Sequence, residues 1–144
     1  MRKKTFIIFF IFLASLSLLF YSCGGSPETP KSTKQAVISI DVSPKPVTFT
    51  QQGNRWCSEF DVIITETNGV SGRVDEISIL IYSGTNVCDR FRKLAPGRFL
   101  ANSTTKFHFS DVCVTCDFDK MEISVQGADD NGNKIFQTIS INLG

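Results

Sequence analysis

Four cysteines, Cys57, Cys88, Cys113 and Cys116, are the residues here best equipped for chemistry. As thiolates they could hold zinc, or exchange disulfides through the CVTC at 113–116. A redox CxxC lowers its thiol pKa at a helix N-terminus, whereas DFDKMEISV follows CVTC with the alternation of a strand. A zinc ribbon needs closer spacing than Cys57 to Cys88 and reduced sulfur. An even set in an exported chain predicts two disulfides, with three connectivities open.

Other clusters offer weaker chemistry. ADDNGN (128–133) groups Asp129, Asp130, Asn131 and Asn133, oxygen donors of the kind that bind calcium. Asn131-Gly132 is equally a strong hairpin signal, and the plain turn is the preferred reading. Glu66, Asn68 and Asp75, near the next turn, could complete such a site. CDRFRKLAPGRF (88–99) interleaves Arg90, Arg92, Lys93 and Arg98 with Phe91 and Phe99. That mix suits an anionic glycan, a lipid A phosphate or nucleic acid, but also suits an edge strand guarded by charge. His108, the single histidine, alternates with Phe107 and Phe109 and is read as a solvated strand residue. Asp117, Asp119 and Glu122 read as a solvated strand face. No G-x-S-x-G, H-E-x-x-H or phosphate-binding glycine loop occurs. The chain is therefore expected to be no enzyme and to need no cofactor.

Positioning these residues falls to short alternating runs between turns, the pattern of an all-β domain over residues 37–144. Strand A is predicted at 37–42, continuing at 47–50 beyond Pro44 and Pro46. B is 56–65 with Trp56, Phe60, Val62 and Ile64 on one face. C is 75–83 with Ile77, Ile79 and Ile81 inside. D (97–101) and E (105–110) form a pair with Phe107 and Phe109 inward. F is 120–127, and G is 134–143 with Ile139, Ile141 and Leu143 inside. About seven antiparallel strands with regular turns predict an immunoglobulin-like or fibronectin-III-like β-sandwich; an eight-strand jelly roll is the rival. The ending VQGADDNGNKIFQTISINL resembles bacterial immunoglobulin-like domains of surface and periplasmic proteins. In such a sandwich the start of B, the end of C and the E–F loop share one pole, which gathers all four cysteines. Cys113 and Cys116 then each bridge outward, one to Cys57 and the other to Cys88.

The fifth cysteine has another context. MRKKTFIIFFIFLASLSLLFYS (1–22) has a basic start and an apolar run, the make-up of a secretory signal. Phe20, Tyr21, Ser22 and Cys23 then resemble the box of a bacterial lipoprotein signal. The resemblance implies that Cys23 is lipidated and becomes the mature N-terminus. Each buried methylene contributes about 0.8 kcal/mol to membrane attachment, and stable anchoring takes more than one chain or signal. Residues 23–36 read as lipidated cysteine and flexible tether, since GGSPETPKSTKQA cannot bury a core. Formal charge is +1 overall; setting aside Arg2, Lys3 and Lys4 takes the basic count from 15 to 12 against 14 acids, near −2. Nucleic acid is therefore no expected partner. The expectation is a lipid-anchored bacterial envelope protein, at the outer membrane or cell surface. Its partner would be a protein or a glycan, the latter met by aromatics such as Trp56, Tyr82 or Phe91.

Overall fold

Alternation of β-branched or aromatic residues with polar ones gives each strand one apolar face, and two such faces close on each other in the computed structural model. The structure describes residues 33–143, within a compact unit spanning Ser32–Gly144. The eight strands are β1 (Ile38–Ser43), β2 (Thr50–Gln52), β3 (Arg55–Glu66), β4 (Gly72–Ser83), β5 (Asn86–Phe99), β6 (Thr104–Val114), β7 (Lys120–Asp129) and β8 (Lys134–Asn142). Sheet A places β1 and β2 on one side of β3 and β6 on the other; sheet B runs β5-β4-β7-β8. Every pairing is antiparallel. The fold is an immunoglobulin-like β-sandwich. It differs from the constant-type division, in which strand D joins the A–B–E sheet, because β5 stays beside β4.

Phe60, Val62 and Ile64 of β3 and Phe107 and Phe109 of β6 face Ile77, Ile79 and Ile81 of β4 and Met121, Ile123 and Val125 of β7, all buried. Ile139, Ile141 and Leu143 pack against this core from β8 and just beyond it, as expected. Strand A is interrupted where predicted, at Pro44 and Pro46, both preceded by cis peptide bonds, but pairing resumes only in β2 at Thr50–Gln52, leaving 47–49 of the expected 47–50 outside it.

Two further expectations fail, each through a bulge. Residues 97–101 form no separate strand D paired with E. Instead 86–99 is one long strand that pairs with β4, while β6 pairs with β3. Pro96-Gly97 resembles a chain break, but it sits in an edge-strand irregularity where Gly97 pairs with Val74 and Leu94 with Glu76. Ala95 takes φ 45° there, and an edge position tolerates the missing proline N–H. Trp56 does not share the face of Phe60. The register of β3 against β6 shifts between Ser58 and Phe60, which turns Cys57 inward and leaves Trp56 39% exposed.

At the β4 bulge, a Cβ on Gly127 would run into the backbone carbonyl of Arg73. Gly127→Ala must therefore displace backbone, and an expected loss of about 1–3 kcal/mol would appear as a lower urea midpoint.

Candidate functional site

The four cysteines of the domain meet at one pole, as two closed pairs. Cys57 and Cys113 are register partners on β3 and β6, with Cα atoms 4.0 Å apart. Cys88 at the start of β5 bonds Cys116 in the loop after β6, Cα to Cα 6.4 Å, and so joins sheet B to sheet A. Each cysteine of CVTC bridges outward, as expected. A redox motif cycles between its own two sulfurs and a zinc site needs thiolates, so the geometry serves neither chemistry. Two disulfides mark an exported domain of an oxidising compartment.

Beside this pole the sandwich opens between the β2 side of sheet A and the end of β8. A groove of about 430 Å³ lies there, lined by Pro46, Phe49, Trp56, Phe118, Asn142 and Leu143 among others, none of them charged. The Phe49 and Phe118 rings lie 4.6 Å apart, and Trp56 meets Phe118 edge-on at 6.2 Å. Of the expected aromatics, Trp56 alone lines this groove. Tyr82 lies under the Lys120 ammonium, 4.1 Å from its ring centre, and Phe91 packs against the core.

The basic stretch does not converge on one site. Cross-strand neighbours share a face, so Arg90 and Arg92, opposite Leu80 and Ser78, lie on the outer face of sheet B. Arg92 makes a two-point bond to Glu76, at 2.8 and 2.6 Å. That guanidinium holds the Glu76 carboxyl below its ordinary range. Lys93 turns the other way, donating to the His108 carbonyl over the Phe109 ring. Arg98 sits at the opposite end of β5, bound to both carboxylate oxygens of Asp130 at 2.7 Å. The arrangement is a charged edge strand. His108 is exposed on β6, its Nδ1 2.9 Å from Asp61 and its Nε2 3.3 Å from Glu59. Asp117 and Asp119 lie in the loop before β7, not on a strand face with Glu122; Asp119 accepts the Gly84 N–H.

The pole opposite the cysteines carries a feature the sequence reading missed. Glu66, 1% exposed at the end of β3, accepts five backbone N–H groups. They come from Val37 (3.2 Å), Asn68 (2.8 Å), Gly69 (2.9 Å), Val70 (3.3 Å) and Asn102 (2.9 Å). Asp129, 4% exposed, accepts from the Ala36, Asn131 and Asn133 N–H groups and the Asn133 amide, at 2.8 to 3.0 Å. Burial pushes both carboxyls up. In Glu66 the N–H groups of Asn102, Asn68, Val37 and Gly69 outweigh that and hold it below its ordinary 4.5. In Asp129 the Asn133 amide and the N–H groups of Ala36, Asn133 and Asn131 hold it below 3.8. Asn68 and Asn131 also donate to the Gln35 and Lys34 carbonyls, both at 2.6 Å. Residues 34–37, read as the tether's end and the first residue of strand A, are thus gripped by the end of β3 with the β3–β4 connection, which crosses from sheet A to sheet B, and by the β7–β8 turn of sheet B.

This occupancy matches the plain turn preferred for Asp129, Asp130, Asn131 and Asn133 rather than the calcium alternative. The Asp129 oxygens are filled by N–H donors and Asp130 is neutralised by Arg98. Glu66 and Asn68 are likewise committed, and Asp75 bonds Arg73 on the outside. Among the described residues no group of three or more His, Cys, Asp or Glu side chains could hold a metal ion. A signal was present: E-T-N-G (66–69) and D-D-N-G (129–132) repeat one acid-x-Asn-Gly pattern. Gly69 and Gly132 take φ 73° and 82°, which favours glycine at both.

No protein-family model matches the chain, and no curated protein matches it. Two solved structures resemble the sandwich. One is the ApaA protein of Bordetella pertussis, with a TM-score of 0.56 and 13% identity, covering 78% of this chain and 98% of that one. The other is a structural-genomics target, SoR45, with a TM-score of 0.56 and 8% identity, covering 76% of this chain and 87% of that one. At these identities the likeness establishes the fold.

Proposed function

We propose that this chain is a lipid-anchored, non-catalytic binding module of the bacterial cell envelope, at the outer membrane or cell surface, attached through Cys23. Cys23 and residues 1–22 lie outside the described residues. Support for the anchor comes from the cysteine inventory: of five cysteines, four are closed into pairs with one another, leaving Cys23. The observation that carries the reading is the grip on residues 34–37. It brings the chain in at one pole and leaves the disulfide-bonded pole, with its aromatic groove, at the other end.

A direct test feeds cells a clickable palmitate analogue. Label and membrane retention are expected for the natural chain and expected to vanish in Cys23→Ser; a labelled or membrane-retained Cys23→Ser protein would overturn the anchor. A photo-crosslinking residue at Trp56 should then capture a partner that the same residue at Arg73, on the opposite pole, does not.

The uncharged aromatic groove favours a second reading, an accessory module for a neutral glycan. Sugar rings stack on aromatic faces and need few charged contacts. Trp56→Ala would then abolish retention on envelope polysaccharide without lowering the melting temperature by more than a few degrees.

A further inference from the structure

A sandwich has four exposed strand edges, and three of these are guarded. The β5 edge carries Arg90, Arg92, Lys93 and Pro96. The β6 edge faces β5 across the Cys88–Cys116 bond and the Lys93 contact with His108, and it bends at Asp111, φ 58°. The β1–β2 edge is broken by Pro44 and Pro46, and β2 is only 3 residues long. Such charges, prolines and irregularities are what keep edges from pairing with foreign strands. β8 lacks such a combination of charges, prolines and bulges, and residues 35–38 lie beside its first four residues, Lys134–Gln137. It runs 9 residues, KIFQTISIN, with no Pro or Gly, no register shift against β7 and one charge, Lys134, at its end.

The direction of its free backbone groups follows from the ladder. Asp129 N–H donates to the Asn133 carbonyl at one end and Leu143 N–H to the Asp119 carbonyl at the other. Narrow pairs alternate along an antiparallel ladder, so the odd-numbered residues of β8 bond to β7. Phe136, Thr138 and Ser140 therefore aim N–H and C=O away from the sheet. Lys134 C=O points the same way and is met by the Gln35 side chain at 3.4 Å.

We propose that β8 pairs with the β8 of a second copy, antiparallel about a two-fold axis at Thr138, joining two four-stranded sheets into one. The sequence of β8 is complementary to itself in that register. Lys134 falls opposite the partner's Asn142, so no like charges meet. Phe136, 67% exposed in the single chain, falls beside the partner's Ser140. Thr138 meets Thr138, a favourable cross-strand pair. Any foreign strand would need its own matching sequence, whereas a second copy supplies one. The pairing is independent of the groove and of the lipid.

The test uses the full chain in its own envelope. Paired Thr138 residues would have Cα atoms about 5.5 Å apart, so Thr138→Cys treated with a short bis-maleimide should give a band of twice the chain mass. Ser110→Cys, exposed on β6, controls for crowding and should give none. Adding Ser140→Pro, which removes an outward N–H that β7 does not use, should abolish the band while the melting transition survives. If that proline unfolds the domain, Thr138→Lys in otherwise natural chain tests the same point by sedimentation in density-matched detergent, where a dimer becomes a monomer. Equal bands from Thr138→Cys and Ser110→Cys, a product of some other mass, or a natural chain that sediments as a monomer would each overturn the proposal.

Discussion

Glu66→Gln is expected to destabilise the domain by about 3 kcal/mol, because a buried amide would aim an N–H at donors that now share a carboxylate. At roughly 4–5 °C per kcal/mol for a domain of this size, the melting temperature should fall by more than about 10 °C. The effect is large because Glu66 ties three separate stretches: the arriving chain at Val37, its own turn at Asn68 to Val70, and the β5–β6 connection at Asn102. The same carboxylate sets a pH dependence. Its folded pKa lies below its unfolded one, so its contribution is complete above about pH 5.5, begins to fall near 4.5, and is lost as pH drops through the folded value. Asp129 adds a second loss beginning near 3.8. Urea unfolding between pH 6 and 2 should therefore show stability declining with acid, and the decline should flatten in Glu66→Gln/Asp129→Asn. A Gln variant within 0.5 kcal/mol of the natural domain, on the order of a surface substitution, would show that the grip contributes little.

Removing the disulfides should have an effect of similar size by a different route. Cys57–Cys113 closes a separation of 56 residues and Cys88–Cys116 one of 28. Chain entropy alone gives about 4 and about 3.5 kcal/mol for loops of those lengths. Against a typical domain stability of about 5–15 kcal/mol, loss of both pairs is expected to leave most of the protein unfolded at 37 °C. The two single-pair variants should differ in kind. Cys57→Ser/Cys113→Ser leaves the β3–β6 hydrogen bonds in place and should melt as one transition at lower temperature. Cys88→Ser/Cys116→Ser frees the side of the sandwich where β5 and β6 face each other, and protease should then cut first near 84–95. Identical digestion patterns for the two variants would contradict this division of roles.

The strands most legible in the sequence are those buried on one face only. Ile77, Ile79 and Ile81 are buried while the residues between them, Ser78 and Leu80, lie on the wetter outer side of sheet B, and Phe107 and Phe109 straddle an exposed His108 for the same reason in sheet A. The cysteine pole was legible because topology leaves few places for strand ends. What escaped was non-local or non-periodic. A bulge changes facing without changing composition, so Trp56 reads as core beside Phe60 until the shift at Ser58 is seen. Pro96-Gly97 has the composition of a turn, and only its pairing with Val74 makes it part of an edge strand. Glu66 reads as one of several turn acids able to complete a cation site, because nothing local announces that donors from residues 37 and 102 converge on it. The basic residues of β5 were legible as cations but not in direction, since Arg92 and Lys93 are neighbours in sequence and lie on opposite faces.

The grip on residues 34–37 also has a mechanical meaning. A strand held only by one neighbour, as β1 is by β3, can be peeled from its end one bond at a time when its end is pulled. Here traction on the N-terminal segment first meets Lys34 and Gln35, held by Asn131 and Asn68, and then Ala36 bonded to Asp129 of sheet B and Val37 bonded to Glu66 of sheet A. The pull is thereby divided between the two layers before it reaches the β1 ladder. Bonds that share a load must fail together, so the domain should resist drag on its leading end better than β1 alone could, and acid that protonates Glu66 and Asp129 should weaken that resistance before it melts the core.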